Sequence, residues 1–272
     1  MRKYIGVALV MCVAVICSAQ TADELVAKNL QARGGVEAIK AIKSLRMTGK
    51  LHEGPFVIPG EQDEKAPDML RDSYTLQGMT AIQAYNGSSG WQIQPFSGRR
   101  DPELMGEDDL RDFSEQADFY GPLVDYQAKG NAIEYLGKYP LDGDDTYRLK
   151  VTLKNGDIIY YYLDPDTYIE IRTEKQMFVR GAVHETVTDL GSYKKVDGVY
   201  FPFSVDTWPK SDPTQKAQIT YDKIEANVDL NNALFTMPAA KPGPKSEKEP
   251  EPPVPSKQKK PKEPAAKPPV AN

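Results

Sequence analysis

The chain has 272 residues, 40% of them hydrophobic, with 34 Lys and Arg against 39 Asp and Glu. Its formal net charge of −5 is unevenly placed: residues 1–20 carry two positive charges and residues 241–272 eight lysines against four glutamates, so residues 21–240 sum to about −11, an acidic body with little reason to bind nucleic acid. Both cysteines, Cys12 and Cys17, fall within the first twenty residues, which excludes a disulfide, a thiol nucleophile and a thiolate metal site from the rest.

Arg2 and Lys3 precede an apolar run from Ile5 to Ile16, the pattern of a secretory signal, with cleavage fitting best after Ala19. The run is shorter than the roughly 20 apolar residues of a spanning helix. Met11 and Ile16 are bulky where a lipid-attachment signal places a small residue before its cysteine. The expectation is a signal peptide at 1–20 and an exported, periplasmic mature protein with one domain over 21–240. Residues 241–272 alternate proline with lysine and glutamate and have almost nothing to bury, so a disordered tail of polyproline character is expected. Its readings are a solvated tail, a spacer through the cell wall, or a contact with anionic polymer.

Thr21-Ala22-Asp23-Glu24 reads as a helix start, with Leu25, Asn29 and Ala32 along one side and Gly34-Gly35 as the stop. A second short helix is read over 36–42. Leu45, Met47, Gly49 and Leu51 then alternate with Arg46, Thr48 and Lys50, the period of a strand with one apolar face. A further strand passes through Tyr74 and Leu76, and Met79, Ala81 and Tyr85 alternate less cleanly. Asn86-Gly87 and Gly90 reach positive φ cheaply, so the segment before Trp91 reads as a tight turn between strands. Over 102–120 the alternation gives way to Leu104, Leu110, Phe113 and Ala117 at helical spacing, with Pro102 in the first turn.

From Asn131 onward the pattern is a meander. Tyr147, Leu149, Val151 and Leu153 alternate, Asn155-Gly156 reads as a two-residue hairpin turn, a strand returns over 158–163, and Asp164-Pro165-Asp166 turns again. Further strands are read at 168–177, 183–193, 199–208 and 215–226. The expected fold is mainly β (α+β): a curved antiparallel sheet with helices packed across its concave face.

Catalytic signatures are missing from the sequence. His52 and His184 each stand alone in a strand-like context and read as surface or packed residues. Asp142-Gly143-Asp144-Asp145 opens like a calcium loop, but position twelve is Leu153 and not a glutamate. A hairpin turn explains it. There is no Gly-x-Ser-x-Gly elbow or phosphate-binding glycine loop. A binding protein is expected, not an enzyme, without metal or cofactor.

Three segments carry a family resemblance: Lys65-Ala66-Pro67-Asp68-Met69-Leu70-Arg71, Tyr85-Asn86-Gly87-Ser88-Ser89-Gly90-Trp91-Gln92-Ile93-Gln94-Pro95, and the closing Phe235-Thr236-Met237-Pro238. With them, residues 21–238 resemble the LolA/LolB superfamily of outer-membrane lipoprotein carriers. The first is similar to that family's basic-x-Pro-x-x-aromatic segment and the second to its DGxxLWxYxP segment. Ala66 stands where well-characterised carriers place an arginine implicated in holding a lid shut, and Leu70 where they place an aromatic. Arg71 matches an arginine frequent in broader members and reads as structural. The resemblance implies an unclosed β-barrel covered by helices, and an amphiphile-binding cavity more than the full lid-and-release cycle. The partners it implies are acyl chains of lipoproteins or other lipids, an inner-membrane release complex and an outer-membrane acceptor.

The candidate lining residues are Leu45, Met47, Leu70, Ile82, Trp91, Ile93, Leu149, Val151, Tyr161, Phe201 and Phe203. Trp91 stands first among them because a turn-flanking tryptophan offers a large apolar area and an indole donor. Ordinary core packing is the competing reading for each. The expected function is that of a periplasmic lipid or lipoprotein carrier or chaperone, shielding acyl chains during transfer toward the outer membrane. An envelope sensor that binds lipoprotein and signals to a partner, and a structural envelope protein, are the alternatives.

Overall fold

The computed structural model describes residues 20–179 and 181–239; the expected signal peptide at 1–20, apart from residue 20, and the expected tail at 241–272 lie outside the described residues. Two helices, α1 (Ala22–Arg33) and α2 (Val36–Ala41), lead into six strands: β1 (Ser44–Glu53), β2 (Phe56–Lys65), β3 (Met69–Leu76), β4 (Met79–Asn86), β5 (Gly90–Gln94) and β6 (Arg99–Leu104). After α3 (Glu107–Gln116) and the single turn α4 (Tyr126–Lys129) come β7 (Ala132–Leu141), β8 (Asp144–Thr152), β9 (Ile158–Leu163), β10 (Glu170–Val179) and β11 (Ala182–Gly191). The chain ends with β12 (Lys194–Val196), β13 (Val199–Phe201), β14 (Ser204–Pro209) and β15 (Ala217–Ala226).

Antiparallel pairing builds a 13-stranded sheet in the order β6-β5-β4-β3-β2-β1-β15-β14-β11-β10-β9-β8-β7, with β12 and β13 as a separate pair. β6 and β7 are its two ends and do not pair with each other, so the sheet is an unclosed β-barrel with two arms. A device at the middle of the sheet helps to bend it. The β1–β15 register shifts between Thr48 and Gly49, and a Cβ on Gly49 would stand 2.2 Å from the Thr220 carbonyl oxygen. Gly49 faces Gly60 across β1 and β2, and the Tyr74 ring lies over Gly60, 2.5 Å from where a Cβ would be. A bulge beside a glycine pair roofed by an aromatic curves a sheet.

Thr21 and Glu24 close a capping box at the start of α1: the Thr21 side chain accepts from the Glu24 amide, and Glu24 accepts from the Thr21 amide. The buried side of α1 (Leu25, Val26, Leu30) joins Ile39 and Ile42 in one core with Leu45, Met47, Leu149, Val151, Tyr161, Leu163, Phe203 and Ile224 of the sheet. Asn29, fully buried, pins the helix: its Nδ2 donates to Glu170 Oε2 at 2.7 Å and to the Tyr168 carbonyl at 2.9 Å.

Several sequence expectations change. Pro102 lies in β6, and Leu104 pairs with Trp91 and is 66% exposed; an edge strand tolerates proline because one row of its amides faces solvent. The helix starts later, at Glu107 after Gly106, while Leu110, Phe113 and Ala117 keep the inward stripe. β2 escapes the periodicity reading because Pro59 stands inside it, yet it pairs on both sides. The hairpin at Asn155-Gly156 has a three-residue loop: Leu153 pairs with Asp157, the Gly156 amide donates to the Leu153 carbonyl, and Gly156 takes φ 93°. Residues 199–208 do not form one strand, since β13 and β14 are separated at Pro202-Phe203. At 168–177 the strand starts at Glu170, because Tyr168 takes φ 62° in the preceding turn.

Candidate functional site, a cavity between the arms of the sheet

Facing residues of antiparallel strands project to one side of the sheet, so the register sorts every side chain by face. Leu45 faces Glu64, Glu64 faces Leu70, Leu70 faces Tyr85 and Tyr85 faces Gly90. This is the inner face, since Leu70 and Tyr85 pack against Phe113 and Leu110 of α3. Ile82 faces Ile93 and Ala84 faces Trp91 on the opposite, outer face.

This parity divides the eleven candidates. Leu45, Met47, Leu149, Val151, Tyr161 and Phe203 meet in the core beneath α1, with Phe201 packed against it. Leu70 belongs to the smaller cluster beneath α3. Ile82, Trp91 and Ile93 point away from both helices. Trp91 is 4% exposed, and its indole N–H donates to the Phe235 carbonyl at 2.9 Å, so the C-terminal segment covers it.

The space between the arms lies elsewhere. A cavity of about 1140 Å³ is bounded by Pro67, Asp68 and Tyr85 on one arm, Leu153, Asn155, Ile159 and Lys175 on the other, and Ser114–Gln116 of α3 with the 118–131 segment between them. Tyr85, Leu153 and Ile159 give it apolar surface. The sequence reading missed all three, and the signal that finds them is the register, counted outward from the hairpin turns.

α3 bridges the arms by two different kinds of contact. Phe113, Leu110 and Ala117 bury apolar surface against Leu70, Tyr85 and Met105. On the other arm, Lys175 Nζ lies 2.7 Å from Asp112 and 2.6 Å from Glu115, and Arg111 lies 2.9 Å from Asp157. Burial raises the Glu115 carboxyl above its ordinary range, with Asp157 adding to the shift and Lys175 opposing it. Lys175 is raised despite its burial, because Asp112 and Glu115 hold its proton. At the cavity wall, Lys129 is neutralised by Asp118 at 2.6 Å.

Two further carboxyls stand on the inner wall. Burial pushes Glu64 up to about 8, with Asp72 adding to the shift. Burial likewise pushes Asp72 up to about 7, opposed by Arg71 and assisted by Asp63. Both residues keep partial exposure, as groups on the wall of an open concavity do. No group of three or more metal-ligating side chains occurs among the described residues.

No family model and no curated protein sequence matches this chain. Solved structures do. A LolA superfamily protein from Nitrosomonas europaea superposes with TM-score 0.54 at 12% identity, covering 80% of this chain and 98% of that one. A DUF1329 family protein from Desulfovibrio piger gives TM-score 0.54 at 13% identity, covering 79% and 97%. An outer membrane lipoprotein-sorting protein domain from Vibrio parahaemolyticus gives 0.50 at 13% identity, covering 77% and 97%. At such identities the likeness is one of fold, and the fold of this chain is that of the LolA superfamily.

Proposed function

We propose that the protein acts in the periplasm as a carrier or chaperone that holds the acyl part of an amphiphile, a lipoprotein among the candidates, in the concavity that α3 spans. The observation that carries this reading is the cavity of about 1140 Å³ bordered by the C-terminal turn of a helix fixed to one arm by apolar packing and to the other by ion pairs. Apolar packing keeps α3 seated while the polar contacts to Lys175 and Asp157 exchange with water, so the helix swings from one side and admits a chain. Each methylene removed from water contributes roughly 0.8 kcal/mol, and a partly sheltered acyl chain binds by several kcal/mol with no covalent step. Release then needs only a better acceptor.

The test exploits a mature sequence without cysteine. Asp112→Cys and Lys175→Cys, bridged by a short methanethiosulfonate cross-linker, fasten α3 to β10. A fluorescent acyl probe is expected to bind the open double variant, to lose at least about ten-fold in association rate when bridged, and to recover with reductant. Equal rates in both states would remove α3 from the entry path and the cavity from the function.

A further inference from the structure

Below the cluster that α3 covers, the inner wall of the first arm carries a polar row, one side chain per strand. Gln62 on β2 faces Asp72 on β3, Asp72 faces Gln83 on β4, Gln83 faces Gln92 on β5, and Gln92 faces Glu103 on β6. Glu64, two residues from Gln62, extends the row toward Leu70. The interior of a half-barrel built to shelter acyl chains is expected to be apolar, and polar groups placed there cost free energy unless something bonds to them.

The ends of the row are satisfied. Tyr221 Oη donates to Gln62 Oε1 at 2.7 Å, Gln62 Nε2 donates to Glu64 Oε1 at 2.8 Å, and Gln92 Nε2 donates to Glu103 Oε1 at 3.3 Å. The middle is not. Asp72 Oδ1 is shielded from water and has no partner, and the Gln83 side-chain amide beside it, partly open to water, makes no hydrogen bond among the described residues.

Charge is unbalanced in the same place. Asp72 acts on Glu64 as a like charge, and Asp63, behind the sheet, acts on Asp72 in the same sense. The cation that acts on Asp72 is Arg71, the next residue along the strand, which therefore projects to the outer face. Arg99, 2.7 Å from Glu103, is a positive charge at the far end of the row, and Tyr74 and Tyr221 bring none to the end that holds Asp72 and Glu64.

We propose that this row seats a protonated amine carried by the bound amphiphile, with Asp72 and Glu64 accepting from the ammonium and the Gln83 amide oxygen completing its shell. The ammonium supplies what the Asp72 end of the row lacks, a donor to the unpartnered Asp72 oxygen and a positive charge facing Asp72 and Glu64. That the amine arrives on an acyl chain rests on the carrier reading above; the row itself does not.

Calorimetric titration of the mature protein with decylamine, decanol and decanoate, each below its micelle concentration, separates the two claims. Decylamine is expected to bind at least about ten-fold more tightly than decanol, and decanoate more weakly than either. In Asp72→Asn, which keeps the shape and removes the charge, the amine-to-alcohol ratio is expected to fall to about one while decanol affinity holds. Glu64→Gln gives a second, independent reduction, and melting temperatures establish that both variants fold. Equal binding of amine and alcohol by the wild-type protein, or an unchanged ratio in Asp72→Asn, overturns the amine site and leaves the carrier reading standing. Binding of none of the three overturns both.

Discussion

Trp91 illustrates how a residue's chemistry can be legible while its direction is not. A large aromatic after Asn86-Gly87 and Gly90 reads as part of a strand entrance, and it is the second residue of β5. Its face depends on pairing with Ala84, which no local pattern reveals. With its N–H bonded to Phe235 and its ring covered, it is an anchor for the C-terminal segment. Trp91→Phe, keeping a ring and losing the donor, is expected to cost about 1 kcal/mol in denaturant unfolding and to leave acyl-probe affinity unchanged. A ten-fold loss of affinity at unchanged stability would place Trp91 in the ligand site. Asp72 and Glu64 were not legible as site residues, because acids scattered through an acidic chain look like surface charge. Their carboxyls hold protons in the folded chain up to about 7 and about 8, whereas the unfolded chain releases them near 4. The unfolded state therefore binds fewer protons between about pH 4 and 8, and the stability contribution of these groups falls as pH rises through that window. Partial contact with water moderates the effect to something on the order of 2 kcal/mol. The double variant Asp72→Asn with Glu64→Gln is expected to flatten this decline in urea unfolding; parallel curves for variant and wild type would show that neither carboxyl is strained.

At the scale of elements, what could be read locally was read. The helix start at Thr21-Ala22-Asp23-Glu24, the alternation in β1 and β8, and the hairpin turn at Asp142-Gly143-Asp144-Asp145 all act within a few residues, and the structure shows each of them. Where tertiary placement decides, the reading fails. Pro59 sits in a strand flanked on both sides, for which no local pattern was read, and Pro102, read as the first turn of a helix, sits in an edge strand. α3 is the element on which the proposed function turns, and half of it was visible: the Leu110, Phe113, Ala117 stripe predicts an apolar seat. Its acidic side, Asp112 and Glu115, carries no local sign of a partner, and β10 brings Lys175 to it. Burying a lysine between two carboxylates ties the second arm to the helix through contacts that water can replace, which apolar packing does not offer.

For the molecule as a whole, period-two alternation and short turns build most of the thirteen antiparallel strands of one sheet, and the bend at Gly49, Gly60 and Tyr74 helps to turn that sheet into an open barrel. The space left between the arms is a consequence of where the sheet stops, at β6 and β7, and therefore of topology more than of any motif. This is why candidates chosen for apolar character fell largely into the core, and why residues of mixed character line the cavity. The most direct measurement is native mass spectrometry of the full-length gene product purified from cells without detergent. The expected result is a fraction of the mature chain carrying one acyl-bearing molecule, which fastening α3 to β10 before lysis excludes. A mass equal to the bare polypeptide in every preparation, with no acyl probe bound in solution, would contradict a carrier built on this cavity.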